Sequence, residues 1–524
     1  MKLREILIAI IAVGILLACS QKKQQATKET ASEYYTEQYR PQYHFTPDSM
    51  WMNDPNGMVY YQGEYHLFYQ YYPDANVWGP MHWGHAVSTD LVHWEHLPIG
   101  IYPDSLGWIF SGSAVVDWNN TSGLGSEENP PLIAIFTHHN DPMAKQERND
   151  YQYQSIAYSL DKGRTWETYQ GNPVLANPGI QDFRDPKVIW SEKYNKWIMA
   201  LAVKDHIGFY SSPDLKSWTH ESDFGKDVGG HGGVWECPDL FPIKDDRGNE
   251  KWVLLVSINP GGPNGGSATQ YFVGEFDGNK FINENPSPQP IWLDHGKDNY
   301  AGVTWSDIPE QDGRRIFIGW MSNWQYATKV PTERWRSGMT LPRELRLISK
   351  GDNYLLAAKP VAETASILNK TQAQSESGIN LSENALQLFE SKVKGGAWMS
   401  ELNIDAMSGK SVNIKLKNDL KEEVSLNLEI EEGRIDFDRT KAGKSDFSQD
   451  FAVPVSGNYV FDKTKIKVHI YWDENGFEIF VNDGEFQMTN LVFPNKNWNT
   501  MEMSSSGEAM LIEASFTPVH KIWN

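Results

Sequence analysis

Ser88-Thr89-Asp90-Leu91-Val92-His93-Trp94 recurs in altered form as Ser159-Leu160-Asp161-Lys162-Gly163-Arg164-Thr165-Trp166 and as Ser212-Pro213-Asp214-Leu215-Lys216-Ser217-Trp218. Each copy has Ser-x-Asp followed by a Trp four or five residues after the Asp, and each follows an apolar run. An Asp carboxylate accepts hydrogen bonds from backbone N–H groups just ahead of it and so closes a tight turn. An indole beside that turn can pack between sheets. A strand, an Asp turn and a Trp, repeated along the chain, predict the recurring corner of a propeller blade.

Outward from these corners, residues 40–360 are a series of short β-type runs. Examples are Met58-Val59-Tyr60-Tyr61, Leu132-Ile133-Ala134-Ile135-Phe136, Trp252-Val253-Leu254-Leu255-Val256 and Arg315-Ile316-Phe317-Ile318-Gly319-Trp320. Gly, Pro, Asn and Asp cluster between them, and no helical period is sustained. At roughly 60 residues per blade, about 320 residues make five blades. Residues 40–358 are therefore assigned to a five-bladed β-propeller, and residues 359–378, opening on Lys359-Pro360-Val361, to a linker of modest helix character. In residues 379–524 the pattern changes to strict alternation, as in Ser411-Val412-Asn413-Ile414-Lys415-Leu416-Lys417 and Val424-Ser425-Leu426-Asn427-Leu428-Glu429-Ile430. Period-two alternation gives each strand one buried and one wet face, which predicts two stacked antiparallel sheets. Asp473-Glu474-Asn475-Gly476 carries the Asn-Gly turn of a hairpin. The predicted class is all-β, a propeller followed by a C-terminal β-sandwich.

The 524 residues exceed what one core supports, consistent with two domains. Counts of 21 Trp, 23 Tyr and 22 Phe are high for a chain of this length. Flat aromatic faces suit the C–H faces of sugar rings as well as large cores. A net charge of −21 opposes binding to nucleic acid or phosphate-rich ligands and suits a neutral polymer. At the amino terminus, Lys2 and Arg4 precede an apolar run from Ile6 to Ala18, too short for a comfortable membrane span. Leu16-Leu17-Ala18-Cys19 resembles the lipobox of bacterial lipoproteins. The expectation is a signal peptide over residues 1–19, lipidation at Cys19, a flexible tether over 20–39, and export to the outer face or periplasmic side of a bacterial membrane. The lipid would be the sole membrane attachment. Cys237 then has no partner for an intramolecular disulfide. No Cys/His cluster has metal-ligand spacing, the pair His138-His139 included, and neither metal nor cofactor is expected.

Three acidic motifs carry the chemistry: Trp51-Met52-Asn53-Asp54-Pro55-Asn56-Gly57, Phe183-Arg184-Asp185-Pro186 and Trp235-Glu236-Cys237-Pro238-Asp239. Taken singly, the first reads as a β-turn and the second as a structural Arg–Asp pair. In the third, a carboxyl between apolar neighbours suits a general acid, because such surroundings disfavour its charged form. Together they provide what glycosidic cleavage needs: a pair of carboxylates flanking an anomeric carbon, and a third to hold sugar hydroxyls.

From His44 to about Arg346 the chain closely resembles glycoside hydrolase family 32, the β-fructosidases. Ile479-Phe480-Val481-Asn482-Asp483-Gly484-Glu485 resembles that family's C-terminal signature. The resemblance implies a five-bladed propeller with a central funnel, and hydrolysis of fructans (levan, inulin) or of sucrose. It also implies Asp54 as nucleophile, Asp185 as the stabiliser binding fructosyl hydroxyls, and Glu236 as acid/base. Asn53, Gln70, Trp78, Phe110, Ser111, Arg184 and Trp320 match the family's substrate contacts. Asn299 stands where the family commonly carries an aromatic residue. The expected mechanism is retaining double displacement, with the two reacting carboxyl groups about 5–5.5 Å apart. Exo-action is expected because Asn259-Pro260-Gly261-Gly262-Pro263 and Trp78-Gly79-Pro80 look like the corresponding segments of exo-levanases and exo-inulinases. The alternatives are an endo-levanase releasing oligosaccharides and a non-catalytic fructan-binding lipoprotein.

Overall fold

In the computed structural model, which describes residues 34–391 and 396–523, the three Ser-x-Asp units occupy one position in successive sheets. Each lies between the third and fourth strand. Asp90 Oδ1 accepts from the Val92 and His93 amides at 3.0 and 2.8 Å. Asp161 Oδ1 accepts from Thr165 N at 2.9 Å, and Asp214 Oδ1 from Lys216 N and Ser217 N at 2.9 and 2.8 Å. Two of the indoles reach a neighbouring sheet: Trp94 stacks on Trp305 and Trp166 meets Phe68 edge-on.

Five sheets follow one another along the chain, each starting at the centre and running outward. Their innermost strands are Met50–Tyr61 (blade I), Trp108–Val116 (II), Phe183–Ser191 (III), Val234–Lys244 (IV) and Tyr300–Thr304 (V). Each of these touches the next, and the fifth touches the first, so the ring closes. The short strand Trp335–Arg336 pairs in parallel with the start of Met50–Tyr61. Hydrophobic cores lie between blades. Ile133 and Ile135 of blade II pack with Val188 and Leu201 of blade III, whereas Ala134 and Phe136 of the same strand pack with Phe68 and Trp83 of blade I. A blade is covered on both faces, which is why its strands read as unbroken apolar runs.

The sandwich has two six-stranded sheets. Val412, Ile414 and Leu416 point into a core shared with Leu426, Phe437 and Trp472, and the residues between them stay partly exposed. Charged groups tie it to the propeller. The buried Arg343 guanidinium, from blade V, pairs with Asp294 at 2.9 Å and with Glu478 at 2.5 Å, and donates to Thr489 Oγ1 at 2.6 Å. Arg439 pairs with Asp298 at 2.7 Å. His44 bridges Asp473 and Glu478 at 2.9 and 2.8 Å. Burial opposes charge on that ring, but the two carboxylates prevail and raise it to about 9.

Two expected boundaries shift. The signal segment, Cys19 and residues up to 33 lie outside the described residues, but the end of the expected tether is packed, not loose. Tyr35 and Tyr39 are buried, and the Tyr35 ring stacks on Trp523 with centroids 4.4 Å apart. The expected linker contains two 3-10 turns, Ala362–Ile367 and Lys370–Gln372, but the first sandwich strand, Gln374–Leu381, already begins within it. That edge strand is mostly exposed, so it shows no buried/wet alternation.

Candidate active site

Every innermost strand loses its pairing register near the same end. The breaks fall between Met52 and Pro55, Ile109 and Gly112, Glu236 and Asp239, and Tyr300 and Val303, and opposite Asp185 between Ala200 and Ala202. A bulge turns a side chain out of the alternating pattern and frees backbone donors. Here it aims Asn53, Asp54, Ser111, Asp185 and Glu236 at one cavity. Asp185, Cys237 and Ala301 have left-handed φ angles of 63°, 46° and 53°, a strain of order 1 kcal/mol or more at each. Pro55, Pro186 and Pro238 need no ladder donor, which suits a bulge. The Pro one or two residues after each acid is thus part of the device that presents it.

Asp54 is fixed from both sides. Asn53 Nδ2 donates to Oδ1 at 3.0 Å and Ser111 Oγ to Oδ2 at 2.9 Å, while the Cys237 thiol lies 3.6 Å from Oδ2. Asn53 is held in turn by Trp51 Nε1 at 2.7 Å. Asp185 Oδ2 accepts from Cys237 N at 3.1 Å, with the thiol 3.7 Å away. Glu236 Oε1 accepts from Arg184 Nε and Nη2 at 3.2 and 3.0 Å, and Oε2 accepts from the Tyr300 hydroxyl. Arg184 also pairs with Asp182 at 2.5 Å. Glu236 thus differs from the expectation: Trp235 turns away into a hydrophobic cluster, Cys237 faces Asp54 and Asp185, and a guanidinium and a phenol hold the Glu236 carboxyl.

Asp54, Asp185 and Glu236 crowd one cavity with Arg184 beside the last two, and their charges compete. Burial, and then the charge of Glu236, push Asp54 up to about 6. Burial raises Asp185 to about 7; Arg184 opposes this and the other two carboxylates reinforce it. Burial and the nearby carboxylates raise the Cys237 thiol well above its usual range, so it is a protonated donor and not a nucleophile.

The cavity has a volume of about 310 Å³. Asn53, Gln70, Trp78, Phe110, Ser111 and Arg184 line it with the three acids. Trp78 stands at the rim, 40% exposed, edge-on to Phe110. Trp320 is the exception. It is fully buried behind the wall, and the ring that reaches the cavity is Trp324, which packs on Trp320 and Trp51. Asn299 is likewise off the wall, donating to Asp294 at 3.1 Å beneath the sandwich. His139, Tyr151, Gln152 and Asp182 line the site although no motif marks them, and Asn259, first residue of the Asn-Pro-Gly-Gly-Pro segment, joins them. The one sequence signal for His139 is its place at the polar end of an apolar strand, Leu132–His139; its ring stacks on Phe110 at 4.3 Å. Toward the other face, Lys187 pairs with Asp239 at 3.3 Å and donates to Thr304 O at 2.6 Å, forming a buried floor. Among the described residues no group of His, Cys, Asp and Glu is arranged to hold a metal ion.

This geometry has relatives. Residues 44–360 match the Glycosyl hydrolases family 32 N-terminal domain, and residues 363–523 match the Glycosyl hydrolases family 32 C terminal. A levanase of Bacillus subtilis (strain 168) is 46% identical over 505 residues, covering 94% of this chain and 72% of its own length. An extracellular exo-inulinase of Aspergillus awamori is 37% identical over 522 residues, covering 94% and 96%. A crystal structure of exo-inulinase from Aspergillus awamori superposes with a TM-score of 0.86 at 35% identity, over 93% of this chain and all of that one. Matched along both halves, and in fold, the chain belongs to glycosyl hydrolases family 32.

Proposed function

We propose that the protein is an exo-acting, retaining β-fructosidase that releases fructose from levan and inulin and also cleaves sucrose. The observation that carries this reading is the convergence of Asp54 and Glu236, from blades I and IV, on one small cavity with a paired, buried floor. A cavity of about 310 Å³ accommodates a chain end more readily than the middle of a polymer.

In this reading Asp54 attacks C2 of the terminal fructosyl unit while Glu236 gives a proton to the departing oxygen. The C2–O bond to the leaving group breaks as the Asp54–C2 ester bond forms. Glu236, now ionised and facing the Arg184 guanidinium, takes a proton from water, whose oxygen attacks C2 and releases Asp54. Asn53, Ser111 and the Cys237 thiol hold the Asp54 carboxylate in place for the attack. Asp185, fixed by the Cys237 amide, accepts from fructosyl hydroxyls, and Trp78 and Trp324 border the sugar. Chromatography of early products from levan, inulin and sucrose tests the reading. Free fructose from the first seconds is expected; a ladder of oligomers would contradict exo-action, and no cleavage of any of the three would contradict the function.

We also propose export and lipid anchoring through Cys19, supported by Leu16-Leu17-Ala18-Cys19 after the apolar run. Cys19→Ala should move the enzyme from the membrane fraction to the soluble fraction; unchanged membrane association would contradict the anchor.

A further inference from the structure

The innermost strands that carry the acids at one end line a second cavity at the other. Strand Met50–Tyr61 passes from Asp54 to Tyr60 and Tyr61, and strand Phe183–Ser191 from Asp185 to Trp190 and Ser191. Strand Val234–Lys244 passes from Glu236 to Phe241 and Pro242. This lower cavity measures about 820 Å³, within the roughly 300–1,000 Å³ range of ligand pockets. The Lys187–Asp239–Thr304 layer stands between it and the funnel.

Its walls are rich in aromatic rings. The rings of Tyr60, Trp190, Tyr194 and Trp252 line it, each left partly exposed. At its edge Trp118 is 54% exposed, yet it is not loose. Its Nε1 donates to Asp307 Oδ1 at 2.9 Å, and Asp307 Oδ2 is itself held by Val116 N at 3.0 Å. A hydrogen bond from the indole edge and packing against the Tyr61 ring, centroids 5.7 Å apart, thus hold a large apolar face toward solvent as a rigid platform. The charges that line it nearly cancel, Lys187, Lys193 and Arg315 against Glu192, Glu250, Asp307 and Glu310, so the cavity does not strongly select an anion or a cation. Rigid aromatic faces with nearly balanced charge and exposed polar residues at the rim, Gln62 and Glu192 among them, match a neutral glycan.

We propose that the lower cavity is a non-catalytic binding site for a glycan chain, with Trp118 as its stacking platform. That the glycan is the fructan substrate rests on the function proposed above. A second grip on a long polymer raises the local concentration of chain ends at the funnel and leaves short substrates unaffected.

The test uses the full-length protein and Trp118→Ala, with Trp118→Phe as the variant that keeps a ring. On sucrose both variants should match the parent in kcat and KM. On high-mass levan, Trp118→Ala should raise KM about 3- to 10-fold, the range expected for one aromatic contact, while Trp118→Phe stays near the parent. In native gels containing levan, Asp54→Asn should be retarded, and Asp54→Asn/Trp118→Ala less so. Equal retardation of these two, together with an unchanged KM on levan for a Trp118→Ala protein of parental circular dichroism, would overturn the lower site. Activity of the parent on sucrose and levan reads the functional proposal separately, so the two failures are distinguishable.

Discussion

Three donors converge on Asp54 while a neighbouring carboxylate raises its proton affinity, and this opposition has measurable consequences. Because Glu236 is the second cause of the Asp54 displacement, after burial, the acid limb of kcat/KM should fall near pH 6 and move to lower pH in Glu236→Gln. The same variant should lose about 10²- to 10⁴-fold in kcat on levan, and much less on an aryl fructoside whose leaving group needs no proton. Stability responds in the opposite sense. A carboxyl raised in the folded state stabilises the fold fully below about pH 4, its unfolded value. That stability is lost as pH climbs through about 6 for Asp54. Asp54→Asn should therefore gain about 1–3 kcal/mol at pH 7.5, read as a higher denaturant midpoint, and gain nothing at pH 3.5. The acids are legible in the sequence because each has a Pro one or two residues after it, which suits a bulge. The partners of Glu236 are not, since Arg184 and Tyr300 arrive from other blades, and only the ring of strands brings them near. Trp320 and Trp324 lie in one segment, and nothing local distinguishes the ring that faces the cavity from the ring that supports it.

At the level of strands and turns, the hydrophobic pattern of the sequence is enough to tell the two domains apart. A blade strand packs on both faces and reads as a continuous apolar run, as at 132–136; a sandwich strand packs on one face and alternates, as at 411–417. The Ser-x-Asp unit marks three blades, not five. In blade IV, Asp277 still accepts from Asn279 N and Lys280 N, but no Trp follows, and blade V turns through a tight hairpin joining Lys350 to Asn353. The corners that retain the unit are held by the Asp. Asp214→Ala removes the acceptor for two backbone amides and should lower stability by about 1–2 kcal/mol by denaturant titration. Activity per folded molecule should be unchanged, because that corner lies on the rim, away from the cavity.

Across the molecule, propeller and sandwich meet through buried charge. Arg343 compensates both Asp294 and Glu478, so Arg343→Met leaves the buried Asp294 without its cation and Glu478 with His44 alone. A loss of about 3–5 kcal/mol is expected, with both domains unfolding in one transition at a lower midpoint. This junction is not visible in the sequence, because Arg343 and Glu478 lie 135 residues apart and each reads alone as a surface charge. The five-fold ring brings acids from three distant motifs to one end of a shared axis, and the enzyme's chemistry depends on that convergence. The most direct test is the stereochemistry of transfer. When levan is cleaved in the presence of methanol, nuclear magnetic resonance of the first methyl fructofuranoside formed should show the β anomer, because Asp54 and methanol each invert C2 once. The α anomer as first product would mean a single displacement, and Asp54 could not then be the nucleophile.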